Sequence, residues 1–403
     1  MIDTLIITRG PIGPDFNGGS MTVWGFMTGL IKNYNINPHL IIFFENTKKN
    51  SFEVNLTKKY LNQINIDYKF FFINSKNSYF DVIINMFKFN YSFFFNTYII
   101  KKDVSDYIFR KKPSRIYTYH FDSLTLIPEK FKKITIALLG DKMHEPRIFR
   151  RKILNNFFFK RLILDTIDKL YFKVVEIKLF NSLEKIFYFA HYYTINSRDK
   201  RISYIRTMLE DQLNNNQINK IIHDKYNKKV KLDILMIGGL HGTVTISGLI
   251  FLNNFLKKNP KINGVTFNLI GKGKIINKLS DLSNNKLVNF LGRIENFEEY
   301  LSKKKIILVP NTIILGIRVR IITSLMHGLV VITHLSNLSG IPELIHKDNC
   351  LIFENDEEFL DILNDIKNNR VDLLKISLSA RKLFKNSFEN HKVINEFKNK
   401  LFN

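Results

Sequence analysis

A chain of 403 residues, 45 % hydrophobic and 24 % charged, has ordinary globular composition and room for two or three domains, which excludes a disordered, collagen-like or disulfide-stapled chain. Its one cysteine, Cys350, allows no intrachain disulfide and fits a reducing compartment, and no run reaches the roughly 18 apolar residues of a spanning helix. A net charge of +25, from 61 basic and 36 acidic side chains, raises nucleic acid or anionic lipid as partners, although Lys, Asn, Ile and Phe are abundant together and A/T-rich codons alone would give this balance.

The chain opens on Met1-Ile2-Asp3-Thr4, which lacks the basic lead of a signal peptide, and residues 5–8 are too short for its apolar core. Residues 5–8 instead read as a first strand, 9–19 as a loop and 21–31 as a helix. Further strands are expected at 40–44, 116–119 and 134–139, the last ending at Gly140-Asp141. Residues 101–161 hold 16 basic against 6 acidic side chains, a candidate patch for an anionic surface. Within it, residues 147–164 read as one basic and aromatic helix. That helix suits an anionic membrane surface or, alternatively, the core of a Lys- and Phe-rich chain. No RNA- or DNA-binding module is recognisable, so nucleic acid is not the expected partner. A strand is expected at 192–195, followed by Asn196-Ser197, and the Asn- and Lys-rich residues 214–231 read as the join between two halves.

The second half alternates clearly. Residues 232–237, 265–270, 288–291, 306–309 and 329–332 are short apolar runs stopped by Gly238-Gly239, Gly271-Lys272-Gly273, Gly292, Pro310 and His334, as buried parallel strands are. Helical patterns lie between them. One holds Ile250, Leu252 and Leu256, and the next Ile275, Ile276 and Leu279. Asn296 is the expected N-cap of 297–303, and 318–327 is amphipathic and closed by Gly328. The expectation is two doubly wound α/β domains, 1–228 and 229–385, with 386–403 a last helix able to pack back on the first. Ligands of such sheets bind outside the carboxyl ends of the strands, and two such domains facing each other would enclose a cleft.

Several chemistries are excluded by motif. No Gly-x-x-x-x-Gly-Lys-Ser/Thr is present, so Gly271-Lys272-Gly273-Lys274 is not a P-loop. No Gly-x-Gly-x-x-Gly follows the first strand, no His-Glu-x-x-His or paired Cys marks zinc, and no Asp-x-Asp marks a metal–sugar-nucleotide clamp.

The most specific block runs from Val309-Pro310-Asn311 through Gly316-Ile317-Arg318-Val319-Arg320-Ile321-Ile322-Thr323 to Gly328-Leu329-Val330-Val331. It resembles the donor-binding segment of retaining GT-B glycosyltransferases, Gly-x-Arg-x-Lys-Ile-Leu-Glu-Ala-x-x-x-Gly-x-Pro-Val-Val. Ser339-Gly340-Ile341-Pro342-Glu343, Asn349-Cys350-Leu351, Phe290-Leu291-Gly292-Arg293 and Gly238-Gly239-Leu240 also resemble that family in order and spacing. In the first half, Gly18-Gly19 resembles its glycine loop, and residues 183–197 its strand ahead of the interdomain region.

The resemblance implies the GT-B fold, two Rossmann-like domains across a cleft. It implies transfer of a sugar from a nucleotide-sugar donor, with retention, no cofactor and no essential metal. The acceptor class would be a glycan or lipid-linked glycan, and the setting the cytoplasm or the inner face of a membrane. The implied donor-binding residues are Gly18, Gly19, Gly238, Gly239, Lys272, Arg293, Gly316, Arg318, Arg320 and Thr323. Glycine lets backbone approach a phosphate, helix N-termini offer it N–H groups, and Arg318 and Arg320 offer charge-assisted bonds. His120 and His144, each after a strand, are the catalytic candidates. Four positions depart from the family pattern. Thr323 stands for the Glu that holds the ribose hydroxyls, Leu315 for the first Glu of the family's pair, Gly239 for a phosphate-binding Arg and Val330 for a Pro. A weakened GT-B chain serving as a binding partner, or an epimerase on a nucleotide sugar, therefore stands beside the transferase reading.

Overall fold

The computed structural model describes residues 4–402 apart from 17, 35, 37, 74–99, 143, 155–157, 212, 214, 227–231, 295 and 296. The chain divides into two compact units. The first comprises Met1–Ile148, Asn155–Glu210 and Asn390–Asn403, and the second Phe149–Leu154 and Asp211–Glu389.

In the first unit, seven parallel strands are ordered β3-β2-β1-β4-β5-β6-β7 among the described residues. They are β1 (Thr4–Arg9), β2 (His39–Glu45), β3 (Tyr68–Ile73), β4 (Arg115–Tyr119), β5 (Thr135–Leu139), β6 (Lys185–Tyr188) and β7 (Ile202–Tyr204). The apolar runs of the inner strands β1, β2, β4, β5 and β6 are buried on both faces, as parallel sheets require, while the edge strands β3 and β7 are only partly buried. Among the described residues, the helices that punctuate the early strands are α1 (Gly18–Tyr34), α2 (Phe52–Gln63), α3 (Lys101–Lys111), the single turn α4 (Phe121–Leu124) and α5 (Glu145–Leu154), whose last six residues belong to the second unit. The long α6 (Phe158–Phe180) then leads into β6.

Among its described residues, the second unit carries six parallel strands ordered β10-β9-β8-β11-β12-β13. These are β8 (Leu232–Ile237), β9 (Val265–Ile270), β10 (Val288–Gly292), β11 (Ile306–Val309), β12 (Val330–His334) and β13 (Leu351–Phe353). Its helices are α7 (Asn215–Tyr226), α8 (Thr243–Lys258), α9 (Ser280–Ser283), α10 (Phe297–Lys303), α11 (Val319–Met326), α12 (Asp356–Lys367) and α13 (Leu373–Ser387). The chain then returns to the first unit as α14 (Asn390–Phe402). Both sheets are doubly wound and Rossmann-like. In each the strand order reverses beside a central strand, at β1/β4 and at β8/β11, where such sheets leave a crevice at their carboxyl ends.

Five local expectations are corrected. The strand expected at 192–195 is β6, at Lys185–Tyr188, and His191–Tyr193 is a 3-10 turn. The deeper apolar run Ile186–Ala190 takes the sheet position, while Thr194 donates its hydroxyl back to the His191 carbonyl at 2.8 Å and closes the turn. The join at 214–231 contains α7, because Ile218, Ile222 and Tyr226 recur at helical spacing and are buried against the second core. Residues 277–283 form a 3-10 turn followed by α9, not one helix through Ile275. The expected single helix at 147–164 is two, α5 and α6. Gly18 and Gly19 are the first residues of α1 and lie in no loop. The N-cap expected at Asn296 lies outside the described residues.

The last helix is anchored by aromatic packing. Phe397 is 1 % exposed, and its ring lies 5.3 Å from Phe26, 5.9 Å from Tyr117 and 4.9 Å from Phe187. Asn390 bonds Thr28 at 3.2 Å, and Arg206 bonds Glu396 at 2.6 Å. Deleting a ring from such a cluster leaves a cavity that cannot fully collapse. Phe397→Ala is therefore expected to lower unfolding free energy by about 3–5 kcal/mol, measured by urea denaturation. A loss below 1 kcal/mol would mean that α14 is not part of the folded core.

Candidate functional site

The site of the second unit is built where β8, β9 and β10 end. Three loops are laced there by backbone bonds. Gly238 N–H donates to the Ile270 carbonyl at 2.9 Å, Leu240 N–H to that of Lys272 at 2.9 Å, and Gly271 N–H to that of Gly292 at 2.9 Å. The approach is too close for side chains. A Cβ on Gly271, whose φ is +159°, would fall on the Gly238 carbonyl, and a Cβ on Gly238, φ +157°, would meet the Arg320 guanidinium at 2.6 Å and the Thr245 hydroxyl. Only glycine fits at both positions. The chain then turns through exposed Gly239 and His241 to Gly242, the N-cap of α8. The first amides of this sixteen-residue helix have no partner within it and carry its positive dipole end.

Basic groups surround these loops. Lys272 and Arg293 are exposed on the loops after β9 and β10. Arg318 is 7 % exposed, caps the start of α11 and donates to the Ile313 carbonyl of its own loop at 3.4 Å. Arg320 turns inward. Its guanidinium donates to the Ile237 carbonyl at the end of β8 and to the Thr245 hydroxyl, the latter at 3.4 Å. Burial, and then the nearby Arg318 charge, lower its pKa to about 9, so it remains a cation at neutral pH. Arg320 thus ties α11 to the β8 turn and the start of α8. Gly316, φ +59°, is buried, and Gly340 packs so closely that a Cβ there would lie 2.8 Å from the Gly316 carbonyl. Thr323, 6 % exposed, sits in the second turn of α11.

Two departures from the family pattern acquire a local reason. Leu315 is 2 % exposed and serves packing. Val330 donates its N–H to the Lys305 carbonyl at 2.9 Å, and the Tyr226 hydroxyl lies 3.2 Å from the same nitrogen. A Pro has no N–H to give there.

Two further residues complete the assembly and were missed by sequence reasoning. Thr245 receives Arg320, and Asn311 donates from the end of β11 to the Val244 carbonyl of α8. Their signals were faint: a hydroxyl in the opening turn of a helix, and a Pro-Asn pair directly after a strand. Between these parts lies a cavity of only about 10 Å³, lined by Gly238, Leu240, Thr245, Asn311 and Arg320 among others, about the space of one water. A larger hollow of about 520 Å³ lies elsewhere, between the first residues of β8 and β9, Leu232 and Val265, and the end of α8 at Lys258. It is at the amino ends of the strands, the wrong end for a ligand of this sheet. Chemistry, not volume, locates the site.

In the first unit, β1, β4 and β5 are neighbours, and their carboxyl ends gather a second polar group. Arg9 pairs with buried Asp122 at 3.7 Å. His120 follows β4 with φ +71° and bonds its N–H to the Leu138 carbonyl at 3.1 Å. Burial, and then Arg9, push its imidazole down to about 3, so the ring is neutral. His144 is lowered by burial and then by Lys142 and Lys169. Beside it, Glu145 opens α5 and accepts from the Tyr193 and Tyr192 hydroxyls at 2.5 and 3.3 Å, while burial raises its pKa. Gly18 and Gly19, at the start of α1, follow the loop after β1. Among the described residues, no group of His, Cys, Asp and Glu gathers to hold a metal ion.

Two predictions follow from this geometry. Gly238→Ala must displace Arg320 or Thr245, so a stability loss of about 1–3 kcal/mol is expected, and wild-type stability would show that the loops are not so close. His120 releases its proton more readily folded than unfolded. Between its folded value near 3 and the ordinary 6.5, the unfolded chain binds more protons, and stability falls as pH falls through that window. Asn tolerates positive φ, so His120→Asn is expected to melt less steeply with acid between pH 7 and 5. An equal slope in wild type and variant would contradict this.

Residues 231–369 match the family described as glycosyl transferases group 1. No match is found among curated proteins. Solved structures similar over the whole chain include a glycosyltransferase from Rickettsia africae, with 14 % identity, 99 % of this chain and 98 % of that one covered, and a TM-score of 0.60. Anabaena HepE in complex with UDP-glucose has 12 % identity, 99 % coverage of both chains and a TM-score of 0.60. Sucrose-phosphate synthase from Thermosynechococcus elongatus has 12 % identity, 99 % coverage of both and a TM-score of 0.63. At such identities the likeness is one of fold. The match to the glycosyl transferases group 1 family is thus confined to residues 231–369, on a chain with the GT-B fold.

Proposed function

We propose that the protein transfers a sugar from a nucleotide-sugar donor, held by the strand-end loops of its second unit, to a hydroxyl of a glycan or lipid-linked glycan, with retention of configuration. The observation that carries this reading is the pair of glycine turns at Gly238 and Gly271, packed against each other before the N-terminus of α8. Backbone amides and a helix dipole suit a diphosphate, and they act most strongly on the charge that grows on it as the sugar departs. Lys272, Arg293 and Arg318 supply further positive charge. In this reading loop amides and cations take the place a metal would otherwise fill. Arg320 keeps the loops in place from within, and Thr323 offers one hydroxyl where the family Glu would offer a charged bidentate pair to ribose. On the first unit, neutral His120, or His144, is the proposed contact for a sugar hydroxyl.

HepE has been solved with UDP and with UDP-glucose, so uridine nucleotides are the first to test. A thermal-shift series with UDP, GDP, CMP, ADP and their sugars, in EDTA, is expected to stabilise the fold with one nucleotide class. Binding at a hundredfold over Kd adds about 2.7 kcal/mol. Lys272→Met, at an exposed position, is expected to weaken that ligand about tenfold or more, the value of a charge-assisted bond. The anomeric coupling of the NMR-detected product then reports retention. The second reading, a chain that binds without transfer, is favoured by Thr323 and Gly239 at the family's Glu and Arg positions. A flat series with every nucleotide would select it.

A further inference from the structure

Helix α6 turns the usual arrangement inside out. Phe159, Ile163, Ile167, Leu170, Val174 and Ile177 follow one another at spacings of four or three residues, and therefore share one face. They are 79, 61, 48, 63, 42 and 64 % exposed. On the opposite face Asp165 and Asp168 are buried beside Phe172, Val175 and Leu179, and Asp168 pairs with Arg147 at 3.5 Å. The helix is thus apolar on both sides, and its outward stripe runs about 27 Å at 1.5 Å per residue. A stripe of that length on a soluble surface marks an interaction site.

The charges say what covers it. Helical spacing places Lys160 and Lys178 along one border of the stripe and Lys169 and Lys173 along the other, and all four are exposed. The acidic residues of the helix are on its inner side, Asp165 and Asp168, or half-buried, Glu176. Two copies of this face would bring lysines against lysines, whereas a negatively charged surface is complementary to them. No helix of the described residues is long and apolar enough to cross a membrane. An apolar strip between two rows of lysine is the pattern of a helix lying in the plane of an anionic bilayer, its aliphatic side chains among the acyl chains and its ammonium groups at the phosphates.

We infer that α6 docks the protein on an anionic lipid surface through the stripe from Phe159 to Ile177. The inference rests on this helix and not on the nucleotide-sugar reading. Its stripe overlaps the basic and aromatic helix expected at 147–164 only at Phe159 and Ile163 and otherwise lies beyond it.

Flotation of the full-length chain with vesicles of phosphatidylglycerol and phosphatidylcholine, and with phosphatidylcholine alone, tests it. Wild type is expected to float with the mixed vesicles and not with the neutral ones. Ile163→Ser/Leu170→Ser leaves every charge in place and is expected to weaken vesicle binding at least about tenfold. Nucleotide-induced thermal shifts should be unchanged in this variant, which separates failure here from failure of the donor reading. Val174→Ser/Ile177→Ser serves as the second variant should the first misfold. Equal vesicle binding by wild type and both variants would overturn the inference, because attraction of a +25 chain would then suffice. It would also be overturned by the absence of vesicle binding, or by a concentration-dependent dimer that the same substitutions disperse.

Discussion

The second unit depends on an approach of backbone to backbone that leaves no room for a β-carbon. Gly238 and Gly271 end adjacent strands, and the carbonyl of the first occupies the place where a side chain of the second would begin. That contact brings the turns after β8 and β9 into one surface and lets Leu240 bond across to Lys272. Arg320 completes the arrangement from below by holding the Ile237 carbonyl and the Thr245 hydroxyl together. A guanidinium is well suited to this because its donors fan out in a fixed plane and stay charged even when lowered by burial. The Arg320 charge that sequence reasoning assigned to a phosphate here has a structural occupation, and the exposed cations include Lys272 and Arg293.

Much of this was legible. The apolar runs closed by glycine gave strands 232–237 and 265–270 at their observed bounds, because a buried parallel strand must be apolar throughout and must stop at a turn residue. The block around Gly316 and Arg318 gave the α11 region, because its glycines and helix start are constrained together. The misplacements have physical causes too. Residues 214–231 look polar because only one face of α7 is apolar, and Asn and Lys dilute the signal. Residues 183–197 hold two competing apolar stretches, and hydrogen bonding of Tyr193 to Glu145, 48 residues away in sequence but adjacent in the fold, decides between them. Such choices rest on partners distant in sequence, which periodicity cannot see. Arg320 facing inward was invisible for the same reason: an arginine at helical spacing reads as a solvated face until the carbonyl it binds is known.

The two sheets finish their carboxyl ends differently. In the second unit the ends carry glycine, helix amides and cations, a surface with donors and few acceptors. In the first, Arg9 is paired with Asp122, His120 is held neutral, and Glu145 is wrapped by two tyrosine hydroxyls under burial that favours its protonated form. A neutral imidazole both accepts and donates hydrogen bonds, whereas an imidazolium only donates. The first surface therefore matches hydroxyl groups and the second matches phosphate. The proposed reaction, which joins a phosphate-activated sugar to a hydroxyl, would draw on both chemistries. The cost of burying His120 uncharged is met whenever the chain folds near neutral pH, so its neutrality is a property of the fold and precedes any substrate. That is the physical reason to weigh the proposed transfer reading above binding alone.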